Sequence, residues 1–325
     1  MKYARREFLH LAAGAAAVPV SSRRALAFDY PTRPVRLIVG YPPGGVTDLI
    51  ARLIGPWLSQ RLGQQFVVEN RPGASSNLAV EMVVRAPPDG YTLFLVSATN
   101  TYNVSLYDSL NFDLLRDMTA VASIGRDAFV MVVNPSFQAK TGADFLTYAK
   151  AHPGKVNMAT SGLGSASDLY GQLFKSLAKV DLLSVHYRGV GQALPDLMSG
   201  RVDVMFYPLV SAIGHIKAGK LRALGVTTAR RIDVLPDVPP IGDFVPGYEA
   251  TDWTGIGTAA RTPPEVIAIL HAAVGAALAD PEFKARLDEL GVEPFESSTA
   301  EFSKFMADYT ATWAKVIRAA GIKAE

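Results

Sequence analysis

The apolar positions of this chain fall into short continuous runs separated by stretches with helical spacing. Val35–Val39 is such a run, and it reads as a strand buried on both faces. It leads through Gly40-Tyr41-Pro42-Pro43-Gly44-Gly45 into a segment where Leu49, Ile50, Leu53, Ile54, Trp57 and Leu58 form one helical stripe. Pro56 lies inside that stripe and predicts a kink. The pattern then predicts a strand at 66–68, a helix at 77–86, the turn Pro87-Pro88-Asp89-Gly90 and a strand at Thr92–Ser97. Strands alternating with helices predict a doubly wound unit with right-handed crossovers.

The middle of the chain repeats this alternation. Strands are predicted at Phe129–Val133, Val156–Thr160, 182–185, 202–206 and 221–226, with helices at 144–152, 167–178, 192–199 and 211–218. Residues 236–246, rich in Pro, Asp and Gly, read as a loop, and the C-terminal third reads as helices at 263–279, 281–290 and 300–320. No short-period repeat, low-complexity tract or homopolymeric linker is present.

Three glycine-rich turns each follow a predicted strand and open a predicted helix: Tyr41 to Asp48, Ser161 to Ser167, and Tyr187 to Gln192. Glycine lets the backbone turn tightly and approach a ligand, and the first N–H groups of a helix lack intrahelical partners. Together with the helix dipole they make an anion site without a cationic side chain. In doubly wound sheets ligands bind at this carboxyl end of the strands. Gly162-Leu163-Gly164-Ser165-Ala166-Ser167 approximates a dinucleotide fingerprint but has Ser at its third glycine and no clear acidic residue after the next strand. No phosphate loop and no Gly-x-Ser-x-Gly elbow occurs.

Catalytic and metal chemistry find little support. His152, His186, His215 and His271 are scattered, with no paired spacing to hold a metal. Glu69, Asp48 and Asp203 lie near strand ends, but nothing pairs them as acid and base. Zero cysteines exclude thiol nucleophiles, disulfides and thiolate metal sites. No cofactor is expected, and no enzyme activity.

Charge changes the picture once the first residues are set apart. Residues 1–27 carry a basic start, an apolar run over 8–20 and Ala25-Leu26-Ala27, the layout of a secretory signal. Arg5-Arg6-Glu7-Phe8-Leu9 resembles a twin-arginine (Tat) signal. The run is too short and too rich in Ala and Gly for a bilayer span of about 18 apolar residues. Of 32 basic and 30 acidic residues, the leader holds Lys2, Arg5, Arg6, Arg23, Arg24 and Glu7. The remainder has 27 basic and 29 acidic residues, a net of −2. No basic stripe is left for phosphates, so a nucleic-acid partner is not expected.

With these turns, the chain resembles the tripartite tricarboxylate transporter receptors, the Bug (TctC-like) family of periplasmic solute-binding proteins. Four blocks carry the resemblance, which runs from Tyr30 to about Ile317. Val35 to Val39 runs into Pro43-Gly44-Gly45-Val46-Thr47-Asp48, and Val67 to Ala74 leads to Ala86-Pro87-Pro88-Asp89-Gly90-Tyr91-Thr92-Leu93. Ser161 to Ser165 precedes Leu173-Phe174, Tyr187-Arg188-Gly189 and Gly200-Arg201-Val202-Asp203. Lys220 to Leu224 precedes the Pro-rich loop and Trp253-Thr254-Gly255. The resemblance implies an α/β, two-lobed periplasmic-binding-protein fold of type II (Venus flytrap) and a ligand carboxylate held by backbone groups and water at the first Gly-Gly loop. The family usually has glycines where Ser75 and Ser76 stand, His at Asp168, Glu at Gln172 and Pro-Tyr at His186-Tyr187, and a small polar or acidic residue at Tyr207.

The expected lobes are 28–126 with 230–325, and 127–229, divided where Phe129–Val133 and 221–226 cross between them as hinge strands. The ligand carboxylate is expected on the N–H groups of Gly44, Gly45, Val46 and Thr47, with Tyr41 and Asp48 in the same turn. Ser97, Thr99 and Asn100 follow the third strand, and Ser161, Gly164, Ser165, Tyr187 and Tyr207 oppose them from the second lobe. Asp168 and His186 also stand on that far wall, where Arg188 is the one candidate cation, and the balance favours a monocarboxylate or aromatic carboxylate over citrate. The expected partners are a small organic carboxylate and the membrane permease subunits of a tripartite transporter, served by a monomer. An exported sensor that signals to a membrane kinase is an alternative reading, and an exported hydrolase another.

Overall fold

The computed structural model describes residues 29–323, so the leader read over 1–27 lies outside the described residues. Pro31–Glu325 forms one unit of contacts and Met1–Tyr30 another, of which only Asp29 and Tyr30 are described. Strand β1 (Val35–Val39) turns through 40–45 into helix α1 (Val46–Leu62), followed by β2 (Phe66–Asn70), α2 (Asn77–Val84), β3 (Thr92–Ser97) and α3 (Ala98–Leu106). A short helix α4 (Leu114–Asp117) precedes the ten-residue β4 (Met118–Asp127), and Ala128 alone separates β4 from β5 (Phe129–Val133). Then come α5 (Gly142–Ala151), β6 (Val156–Thr160), α6 (Ala166–Ala178) and β7 (Leu182–His186). They are followed by α7 (Val190–Ser199), β8 (Val204–Pro208), α8 (Leu209–Lys217) and β9 (Arg222–Val226). The return carries β10 (Asp252–Ala259), α9 (Pro264–Ala279), α10 (Pro281–Glu289), β11 (Val292–Pro294) and α11 (Thr299–Ala320).

These strands make two mixed sheets, so the fold is α/β. One has the order β11-β4-β10-β3-β1-β2 and the other β7-β6-β8-β5-β9. The six-stranded sheet takes strands from 35–127 and 252–294, and the five-stranded sheet from 129–226. β1 lies parallel to β2 and β3, whereas β10 enters antiparallel between β3 and β4.

The structure corrects the reading of the C-terminal third as wholly helical. Asp252–Ala259 and Val292–Pro294 are strands, and Met118–Asp127 is a strand the pattern did not reveal. Their sequences explain this: DWTGIGTA and MTAVASIGRD are rich in small residues and carry no strong alternation. Gly255 is small for a packing reason. A Cβ there would lie 2.3 Å from Phe302 Cζ and 2.7 Å from Ala122 O, so β10 must stay bare for α11 to sit down on it. The strand predicted at 202–206 lies two residues later, and α1 runs as one 17-residue helix with Pro56 inside it.

Aromatic side chains fill the core between the two sheets. Trp253 packs edge-on against Phe302, Phe305 and Tyr309, and Tyr170 packs against Phe129 and Trp313. Such pairs contribute about 0.5–1.5 kcal/mol each beyond area burial. Buried hydroxyls need partners, and here they satisfy one another. Tyr102 Oη lies 3.2 Å from Tyr170 Oη and 2.8 Å from Tyr309 Oη, and Tyr309 donates to Thr251 O. Helices α3, α6 and α11 are thereby tied together next to the start of β10.

Ala74, Ser75 and Ser76 all have left-handed backbone, with φ of 46°, 50° and 76°. Glycine at 75 and 76, as in the family pattern, would remove that strain. Ser76 has a compensation, because its buried Oγ accepts from Asn100 Nδ2. Ser75 is exposed and contributes only its backbone oxygen, to Asn103 Nδ2. A left-handed non-glycine costs on the order of 1 kcal/mol or more, partly offset by the entropy of a glycine. Ser75→Gly is therefore expected to raise unfolding free energy by about 0.5–1 kcal/mol in urea titration; a loss of stability would contradict this account of the turn.

Candidate functional site

The turn between β1 and α1 is held by a carboxylate inside it. Gly44, at φ 94°, gives its N–H to Asp48 Oδ2 at 2.9 Å. Arg52 Nε donates to the same oxygen at 2.9 Å, and Asn70 Nδ2 donates to Oδ1 at 2.8 Å while also reaching Tyr41 O. Burial alone would raise the Asp48 pKa, but the Arg52, Gly44 and Asn70 donors outweigh it and hold it below the usual carboxylate range. In this structure Asp48 is a strut of the turn, and the Gly44 N–H, expected for the ligand, is engaged by it.

The next donors remain for a ligand. The first bond inside α1 runs from Leu49 N–H to Gly45 O, so the N–H groups of Gly45, Val46 and Thr47 precede it. They carry the positive end of a 17-residue helix dipole. A cavity of about 150 Å³ opens here, with Val46 and Thr47 at the helix end and Tyr41, Ser97 and Thr99 along one wall. Asp127, Asp252 and Thr254 line the cavity as well, with Thr254 beside its register partner Ser97. Tyr41 Oη lies 3.2 Å from Ser97 Oγ, and burial pushes the Tyr41 phenol up against the opposing effect of Ser97 and Thr99. Asn100 does not face the cavity. It closes a capping box, accepting from Ser97 N–H at 2.8 Å and donating to Ser76.

Asp127 and Asp252 are the residues that the sequence pattern missed. They are register partners on β4 and β10, so their side chains leave the same face of the sheet as neighbours. Among the described residues no Lys, Arg or His forms an ion pair with either. Arg126, one residue back, points to the other face, where its guanidinium lies 3.7 Å from the centre of the Phe295 ring. Burial pushes the Asp252 carboxyl up to about 6, against hydrogen bonds from the Trp253 and Ala98 N–H groups. Burial, then the nearby Asp252 charge, pushes Asp127 well above its ordinary range. No signal of spacing could have paired residues 125 positions apart on two unrecognised strands.

The remaining expected residues do not line this cavity. The Ser161–Ser167 turn repeats the architecture of the first: Gly164, at φ 70°, donates to Asp168 Oδ2 at 2.9 Å, as Gly44 does to Asp48. Ser161 N–H and Oγ both bond Ser167 Oγ, and Ser165 Oγ donates to Gly162 O. Tyr187 donates to Asp196 at 2.8 Å, and Tyr207 is buried on β8 among the apolar residues under α7 and α8. His186 Nδ1 is bonded to Thr160 Oγ1, and Arg188 is exposed. In this conformation the second half of the expected set makes its bonds within its own turns.

A larger cavity, about 370 Å³, lies on the far side of Asp127 and is lined by Arg126, Arg231, Asp233, Asp288 and Glu293 among others. It is a weaker candidate because its charges are mixed and it has no glycine turn at a helix start. Helix α8 begins there, but Leu209 N–H is engaged by Ala128 O. Among the described residues, no group of three or more His, Asp and Glu clusters to hold a metal.

Comparison with known proteins decides the family. The model of the "Tripartite tricarboxylate transporter family receptor" matches residues 50–322. This chain belongs to that family. It is a family of receptors, not of enzymes. BugT of Bordetella pertussis is 31% identical over 318 residues, covering 97% of this chain and 96% of BugT. The structure of R. palustris Rpa4515 with adipate superposes with a TM-score of 0.79 at 35% identity, covering 90% of this chain and 99% of that one. MatC from Rhodopseudomonas palustris, with bound malate, gives a TM-score of 0.75 at 31% identity over 89% of this chain and 100% of that one. The two-sheet α/β architecture is thus that of the periplasmic solute-binding receptors.

The Asp127–Asp252 pair gives the receptor a pH signature. Both carboxyls titrate higher when folded, so the stability they contribute is complete below their unfolded pKa and is lost as pH rises through the folded values. Raising Asp252 from 3.8 to about 6 corresponds to at most about 3 kcal/mol. The ligand-free receptor is expected to melt lower at pH 7.5 than at pH 5, and the double variant Asp127→Asn/Asp252→Asn to remove most of that fall. Glu69, held down to about 2 by Arg36, is fully ionised across this window and adds no slope. Equal pH slopes in the variant and the parent would refute the assignment.

Proposed function

We propose that this protein is the periplasmic receptor that captures a small organic carboxylate at the start of α1 and delivers it, as a monomer, to the permease subunits of a tripartite transporter. The observation that carries this reading is the trio of N–H groups at Gly45, Val46 and Thr47, ahead of the first intrahelical bond, at a helix start whose Val46 and Thr47 line a cavity. Relatives with adipate and malate bound support a carboxylate as the ligand class. The basic, then apolar, leader with Arg5-Arg6 supports export by the twin-arginine route.

The division into lobes at 28–126 with 230–325, and 127–229, belongs to the same proposal. The two sheets draw their strands from these stretches, and only Ala128 separates β4 from β5. A hinge at that point would let the Ser161, Ser165 and Tyr187 turns approach the ligand on closure.

Gly45→Val tests the binding site. Gly45 has an ordinary φ of −77°, and a Cβ there meets no atom within 4 Å, so the variant should fold. The added side chain stands in the open space before the helix. Losing two charge-assisted hydrogen bonds corresponds to about a 100-fold or greater loss of affinity. Calorimetry with the carboxylate that most raises the melting temperature of the parent should record that loss. Unchanged affinity would refute the site.

A further inference from the structure

The cavity has two ends of opposite character, and the second is unusual for an anion receptor. At the helix end it offers N–H donors and a positive dipole. On the β10 side it offers two neighbouring carboxylates that no basic side chain neutralises among the described residues. An all-anionic ligand that fills the cavity would bring a second carboxylate up to this pair. Like charges at such range, away from bulk water, disfavour that contact.

We infer that Asp127 and Asp252 are the specificity-determining residues of the receptor, and that they take the ammonium group of an amino carboxylate whose carboxylate rests on Gly45, Val46 and Thr47. The inference rests on the reading of this cavity as the carboxylate site. Register makes it geometric: antiparallel pairing of Asp252 with Asp127 sets two acceptors side by side, as an ammonium with three donors requires. Thr254, two residues along the same face of β10, adds a hydroxyl to this wall. Without ligand, burial and the proximity of the two carboxyls favour a proton on the pair above the usual carboxylate range. Arrival of the ammonium displaces that proton to solvent, so binding strengthens as pH rises.

Among the described residues, no other side chain around the pair supplies a counter-charge; the Ala98 N–H at the start of α3 and the Trp253 N–H are the donors to Asp252. Tyr41, Tyr102, Tyr170 and Tyr309 are buried phenols whose titration burial, and to a lesser degree the Asp252 charge, pushes up, and they remain neutral through this range. Arg126 is committed to the Phe295 and Phe305 rings on the opposite face, and Glu293 is its register partner on β11.

Matched ligands test this directly. Glutarate against 4-aminobutanoate, and adipate against 5-aminopentanoate, are pairs in which one carboxylate is replaced by an amine on the same number of methylenes. Calorimetry on the full receptor at pH 6 and pH 8, in two buffers of different ionisation heat, reads affinity and proton release together. The amino member is expected to bind at least about tenfold tighter than its dicarboxylate at pH 8, with protons released. Asp252→Asn should narrow that ratio to within about threefold, and Asp127→Asn should act likewise. A dicarboxylate that binds as well as its amino partner overturns the inference while leaving the carboxylate receptor intact, and so does a preference that survives both variants. If carboxylates of either kind fail to bind, the receptor reading falls with it. The comparison on the unmodified protein decides even where a variant does not fold.

Discussion

The register of β10 is the constraint on which the candidate site depends. This strand arrives from the distant C-terminal third and inserts antiparallel between β3 and β4, so it completes the six-stranded sheet from within. Pairing Thr254 with Ser97 puts its polar end beside the start of α3, and pairing Asp252 with Asp127 builds the acidic wall. A slip of β10 by one residue would turn the Asp252 carboxylate to the opposite face, away from Asp127. The fit is enforced by packing: Gly255 leaves room for Phe302, and Trp253 anchors in the aromatic layer under α11.

The two glycine turns show a second economy of design. Each ends a parallel strand and opens a helix, and each is braced by an aspartate four residues on that takes a turn N–H at 2.9 Å. The brace fixes the turn without a cation from elsewhere in the sheet. In the first turn it leaves the Gly45, Val46 and Thr47 N–H groups ahead of the first intrahelical bond, with Val46 and Thr47 lining the cavity, so the proposed anion site is built of backbone and needs no lysine or arginine. Phosphate and carboxylate sites at helix starts commonly work in this way.

Much of the fold was legible in the sequence because its signals were local. Continuous apolar runs such as Val35–Val39 and Phe129–Val133 coincide with strands, and the stripes in α1 and α6 coincide with helices. What stayed hidden was made of small residues whose place is set by distant partners. β4 and β10 are held by each other and by α11, not by their own propensity, and they carry both acids of the cavity. The site was legible in the same proportion. Tyr41, Val46, Thr47, Ser97 and Thr99 lie together because a turn motif announces them. Asp48 and Asn100, expected as ligand contacts by a similar signal, bond within their own turns here, since a short polar side chain near a helix start caps it as readily as it meets a ligand.

The proposed receptor selects by charge within a small cavity, with donors from a helix start and acceptors from a strand pair. The most direct measurement of the central claim is amide NMR of the isotopically labelled protein during titration with its tightest-binding carboxylate. The account predicts that the largest downfield proton shifts fall on Gly45, Val46 and Thr47, as each N–H takes a charged acceptor. Amides at those three positions that stay unmoved, while residues 231–234 beside the larger cavity shift, would contradict it.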